Sequence, residues 1–88
     1  MKRKVNWMMR SVGDENLLVP LGVQVMSQNG LITLNKTAAY IWELLAQNRT
    51  LDELTAAVMD RFNVDNTHVR ADIEAFLIQL TQLGILEL

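Results

Sequence analysis

At Asn35 the hydrophobic pattern of this 88-residue chain changes period, and that switch limits its fold more than any other feature. Upstream, apolar residues alternate. Val5, Trp7 and Met9 fall on one face and Asn6, Met8 and Arg10 on the other, which is the pattern of a half-buried strand over 5–10. Val12-Gly13-Asp14-Glu15 reads as a turn, because Gly and Asp supply the backbone freedom a turn needs. Leu17-Leu18-Val19 reads as a second strand, interrupted at Pro20, which has no N–H to give a ladder. Val23-Gln24-Val25-Met26 resumes the extended pattern, Asn29-Gly30 is a hairpin signal, and Leu31-Ile32-Thr33-Leu34 is a short last strand. The front of the chain is therefore expected to be an antiparallel meander of three strands, or four if the break at Pro20 is complete.

Downstream of Asn35 the period is helical. Ala38, Ile41, Trp42 and Leu45 are spaced i, i+3, i+4, i+7 behind an Asn35 N-cap. Thr50 with Glu53 matches a capping box, and Leu51, Leu54, Val58 and Phe62 form the stripe of a second helix. After a loop at Asn63-Val64-Asp65, Val69, Ile73, Phe76, Leu80 and Leu83 mark a third helix, with Gly84 as its left-handed C-cap. Ile85-Leu86-Glu87-Leu88 is an apolar tail that must dock or fray. Strands followed by three helices predict an α+β fold, winged-helix-like, in one domain over 1–88.

Composition removes several function classes. Cysteine is absent, which excludes thiolate metal sites and a cysteine nucleophile, and His68 is the lone imidazole. The glycines at 13, 22, 30 and 84 are dispersed, so there is no phosphate-binding loop. Asp14-Glu15 reads as a turn and Asp52-Glu53 as a favourable helix start rather than a metal site. A chain this short has little room for both a core and a water-excluding pocket. The expectation is no catalytic residue, no metal and no cofactor. Lys2, Arg3 and Lys4 open the chain like a signal peptide, but Asn6, Arg10, Asp14 and Glu15 replace the apolar run that should follow. With no membrane span either, a cytoplasmic location is expected. Eight basic against ten acidic residues argue against a nucleic-acid binder.

A meander leaves two edges. The first strand is guarded by Lys2, Arg3, Lys4 and Arg10, whereas Leu31–Leu34 carries no charge and no Pro. An extended peptide could pair there and gain selectivity from side-chain pockets. Residue physics alone leaves open whether the third helix or a second copy of the chain covers that edge instead.

The run Gly30-Leu31-Ile32-Thr33-Leu34-Asn35-Lys36-Thr37-Ala38-Ala39-Tyr40-Ile41-Trp42-Glu43-Leu44-Leu45 resembles the PqqD family signature. Arg49–Leu54, Arg61–Asp65, Asp72–Leu77, Leu80 and Gly84-Ile85-Leu86 follow in the family's order, so the resemblance spans about residues 5–88. It implies a fold of three strands and three helices that captures the leader segment of a ribosomally made precursor peptide by strand addition. Such a domain presents the leader to a modifying enzyme, often a radical S-adenosylmethionine protein. Carried onto this chain, the peptide-binding residues are Leu31, Ile32, Thr33 and Leu34 on the strand and Val69, Asp72, Ile73, Phe76 and Leu77 on the third helix. The stretch from Gly22 to Gln28 is longer than the link expected in the pyrroloquinoline quinone pathway, so the resemblance implies peptide recognition without fixing the product. A homodimer is compatible with this reading. The alternative is a winged-helix DNA-binding domain, for which the third helix offers only Arg70 against Asp72 and Glu74.

Overall fold

The computed structural model describes residues 1–4, 7–20 and 32–87. Among them, β1 (Lys2–Arg3), β2 (Trp7–Val12), β3 (Glu15–Pro20) and β4 (Ile32–Leu34) precede α1 (Lys36–Leu44), α2 (Leu51–Phe62) and α3 (Asn66–Gln82), and β5 (Leu86–Glu87) follows. The α+β order read from the sequence is the order observed. The expected strand at Val23–Met26, the Asn29-Gly30 turn, and Val5 and Asn6 of the first strand lie outside the described residues.

Strands β2, β3 and β4 form one antiparallel sheet in that order. β2 and β3 run from Trp7↔Pro20 to Val12↔Glu15, closed by the two-residue turn Gly13-Asp14. Gly13 has φ +61° at the first central position, where a type II′ turn requires glycine. The alternation in β2 is as expected: Trp7 and Met9 are half-buried, Met8 and Arg10 exposed. β3 is longer than Leu17–Val19 and includes Pro20 as its last residue. β4 pairs with β3 through Asn16↔Leu34, Leu17↔Thr33 and Leu18↔Ile32, which makes it an edge of this sheet among the described residues.

The helices start where side chains can hold their free N–H groups. Asn35 Oδ1 accepts from the Ala38 N–H at 2.8 Å. Thr50 Oγ1 accepts from the Glu53 N–H at 3.1 Å, and Glu53 Oε1 accepts from the Thr50 N–H at 2.8 Å, completing the capping box. Asp65, which the sequence places in a loop, caps α3 by accepting from the Thr67 N–H at 3.0 Å. α3 ends in a Schellman turn. Ile85 N–H donates to the Leu80 carbonyl at 2.9 Å and Gly84 N–H to that of Thr81 at 3.0 Å, with Gly84 at φ +71°.

The capping box gives a direct test. Thr50→Ala is expected to cost about 1 kcal/mol, read as a lower urea midpoint with an unchanged slope. The Glu53 carboxyl is held below its ordinary pKa, first by the Thr50 backbone N–H. A depressed acid stabilises the fold above its unfolded-state pKa and loses that contribution as pH falls through the folded one. Because that donor is main chain, the pH test falls on Glu53: the cost of Glu53→Ala should shrink from neutral to acid pH, and a cost that grows there would contradict the cap.

Leu18, Ile41, Trp42, Leu45, Leu54, Val58, Ile73, Leu80 and Ile85 form the centre of one core, joined by Leu34, Ala39, Leu77 and Leu86. Leu83 departs from its expected place on the α3 stripe. It is the C-cap residue and 43% exposed, because the helix ends there and Ile85 takes the buried position. The tail docks instead of fraying. β5 pairs antiparallel with β1, setting Lys2 opposite Glu87 and Arg3 opposite Leu86. Arg3 then reaches α1, donating from Nη1 to the Trp42 carbonyl at 2.8 Å and lying 5.0 Å from the centroid of the Trp42 ring. No described helix is long and apolar enough to cross a membrane.

Candidate peptide-binding groove

Because β4 runs directly into α1 through the Asn35 cap, the edge of the sheet and the first turn of α1 form one continuous wall. That wall contributes Thr33, Leu34, Asn35, Thr37, Ala38 and Ile41 to an open groove of about 460 Å³. The opposite wall is α3, through Asp72, Ile73, Ala75, Phe76 and Gln79. The floor is core: Leu34, Ile41 and Ile73 are buried. Phe76, Thr37 and Ala38 are half-buried on the slopes, while Thr33, Asn35, Asp72, Ala75 and Gln79 stand exposed at the mouth. The cross-section is apolar below and polar above, which suits a peptide that buries some side chains and keeps its remaining groups in water.

This geometry brings together Thr33, Leu34, Asp72, Ile73 and Phe76. Leu77 is not at the groove: it is 7% exposed and belongs to the core. Ile32 and Val69 are half-buried against that core and do not line the groove either. The separation is helical geometry, since Leu77 lies about 100° around α3 from Phe76. Leu31 lies outside the described residues. The sequence reading missed Asn35, Thr37, Ala38, Ile41, Ala75 and Gln79. Two cues were available. A helix that follows an edge strand without a linker must supply its first turn to any groove at that edge. Ala75 and Gln79 also stand i+3 and i+7 from Asp72, on one face of the helix.

All the groove residues fall within residues 22–86, which the family model for Coenzyme PQQ synthesis protein D (PqqD) matches. The chain belongs to the PqqD family. No curated protein gives a significant match. A solved structure, "TbiB1 in Complex with the TbiA(beta) Leader Peptide", superposes with a TM-score of 0.74 at 24% identity, covering 99% of this chain and 95% of that one. This PqqD-family chain therefore shares the TbiB1 fold over almost its whole length, including β2 and β3, which lie before the family match begins.

Outside the groove, polar contacts in this PqqD-family chain join α2 to α3 and the N-terminal strand to α1. No group of three or more His, Cys, Asp or Glu side chains among the described residues could hold a metal ion. The single cation on α3, Arg70, is engaged: Nη1 donates to Asp52 at 2.7 Å, and Nε lies 3.6 Å from Glu74. The first contact ties α3 to the start of α2, the second lies within α3, and together they leave no free cation on α3 for phosphates. A second, smaller cavity of about 260 Å³ lies beside Trp7, Met8, Met9, Arg3, Trp42 and Glu43, where Arg3 packs on Trp42.

Proposed function

We propose that this chain is a peptide-recognition domain that binds the leader segment of a ribosomally made precursor and presents it to a modifying enzyme. The observation that carries the reading is the groove between the β4 edge and α3. A peptide in extended form adds to β4 as a further strand and drops alternate side chains toward Phe76 and the apolar floor. The solved TbiB1 structure, by its description, holds a leader peptide, and the shared fold supports the same use of this one. The chain supplies binding and orientation and leaves the chemistry to its partner, a radical S-adenosylmethionine protein in this reading. The complex works in the cytoplasm, where precursors are made, and the recognition unit is the single domain 1–88. A homodimer is compatible with it.

The magnitudes say where affinity comes from. A micromolar complex needs about −8 kcal/mol. β4 has three described residues, and each net hydrogen bond contributes about 0.5–1.5 kcal/mol before association costs are subtracted. Strand pairing thus sets register, and apolar burial at about 25 cal/mol per Å² supplies most of the binding.

The test is an amide chemical-shift titration of the labelled chain with the leader half of a small peptide encoded beside it. Shifts concentrated on residues 32–38 and 72–79 are the expected result. Saturable binding with shifts concentrated elsewhere would move the site, and the absence of binding to any such leader would remove the reading.

A further inference from the structure

The groove described above holds a single formal charge among its described lining residues, Asp72. Thr33, Asn35, Thr37 and Gln79 are neutral, and the other six lining residues are apolar. Asp72 is exposed and makes no ion pair with any described residue. The neighbouring cation Arg70 is already committed to Asp52 and Glu74. A peptide filling the groove takes part of the water from this carboxylate, which has no ion-pair partner among the described residues, and an unpaired charge tolerates that poorly. An occupant that brings a cation removes the penalty and gains a charge-assisted hydrogen bond.

We propose, resting on the peptide-binding reading above, that Asp72 is a specificity-determining residue that selects a lysine or arginine in the bound peptide. The spacing of that cation follows from the helix. From Asp72 to Gln79 the α3 wall runs about 10 Å, the length of roughly three residues of extended chain. Asp72 and Phe76 are an i, i+4 pair, with Cβ atoms about 5–6 Å apart. Residues i and i+2 of a strand share a face and stand about 6–7 Å apart. The peptide that fits carries a cation two positions from an apolar side chain, the first on Asp72 and the second on Phe76.

The probe is a display library of random peptides about twelve residues long, selected separately on the wild-type chain and on Asp72→Asn. Because Asp72 is exposed and outside the core, the variant keeps its fold, which circular dichroism checks. Wild type is expected to enrich Lys or Arg two positions from an aliphatic or aromatic residue. Asp72→Asn is expected to lose the cation and keep the apolar preference. It should bind the best wild-type peptide about tenfold more weakly at low salt, with the difference shrinking as salt is added. Asp72→Lys should reverse the preference toward Asp or Glu. Groove-binding peptides that show no cation preference on wild type would overturn the role of Asp72 and leave the groove reading standing. No enriched peptide at all would remove both.

Discussion

Ala75→Arg is expected to lower leader-peptide affinity about a hundredfold while leaving the melting temperature within about 2–3 °C of the parent. Ala75 is exposed on the groove face of α3 and is absent from the core, so the substitution removes no packing. Arginine is nearly as good a helix former as alanine, and its i, i+3 spacing from Asp72 allows a weakly stabilising surface pair. Surface changes of this kind shift stability by about 0.5 kcal/mol or less. In the groove the effect is different. A long side chain held toward Asp72 stands where the proposed peptide would lie, neutralises the carboxylate, and leaves a second charge to desolvate. A loss near 2.7 kcal/mol corresponds to the hundredfold change, measured by titration calorimetry at fixed salt. Arg10→Ala, on the exposed face of β2, should bind as the parent does. If Ala75→Arg binds with unchanged affinity, the peptide does not use this groove, and the cavity beside Trp7 becomes the next place to look.

The same residue shows what could be read without coordinates. The period change at Asn35, the Asn35 and Thr50 caps and the apolar stripes of α1 and α2 are local, and local rules recovered them. The Gly84 cap is local too, needing only one residue that tolerates φ +71°. What was not legible depends on partners far apart in the chain. β1 and β5 are two residues each, too short to show any period, and nothing in Lys2-Arg3 names Leu86-Glu87 as its partner. Asp65 passed as a loop residue because its capping role shows only once the start of α3 is fixed. In the groove, a helix stripe says which residues are apolar but not how far around the axis each one sits. Phe76 and Leu77 are adjacent in sequence, yet one slopes into the groove and the other into the core. Ala75 and Gln79 escaped notice because a small and a neutral polar residue carry no hydrophobic signal. Their place in the wall comes only from their spacing to Asp72.

Trp42→Ala is expected to be the most destabilising single change in the chain, at about 3–5 kcal/mol. Trp42 is 1% exposed and is the largest of the fully buried side chains. Its ring also carries Arg3, and its carbonyl accepts the Arg3 Nη1 hydrogen bond at 2.8 Å. Truncation thus opens a cavity at the centre of the core and removes the surface on which the N-terminal strand is latched. For 88 residues a total stability of roughly 4–13 kcal/mol is ordinary, so the loss is a large share of what holds the fold. Urea unfolding followed by circular dichroism reads it as a lower midpoint, and an unchanged midpoint would remove Trp42 from the core. Trp7→Ala, at a half-buried position on β2, should cost visibly less. The two variants also separate stability from recognition. Ile41, next to Trp42, is part of the groove floor, so unfolding of α1 takes the groove with it. Trp42→Ala should therefore lose peptide binding only in proportion to its unfolded fraction, and a stabilising osmolyte should restore both together. Ala75→Arg should lose binding while folded, and the same osmolyte should restore nothing.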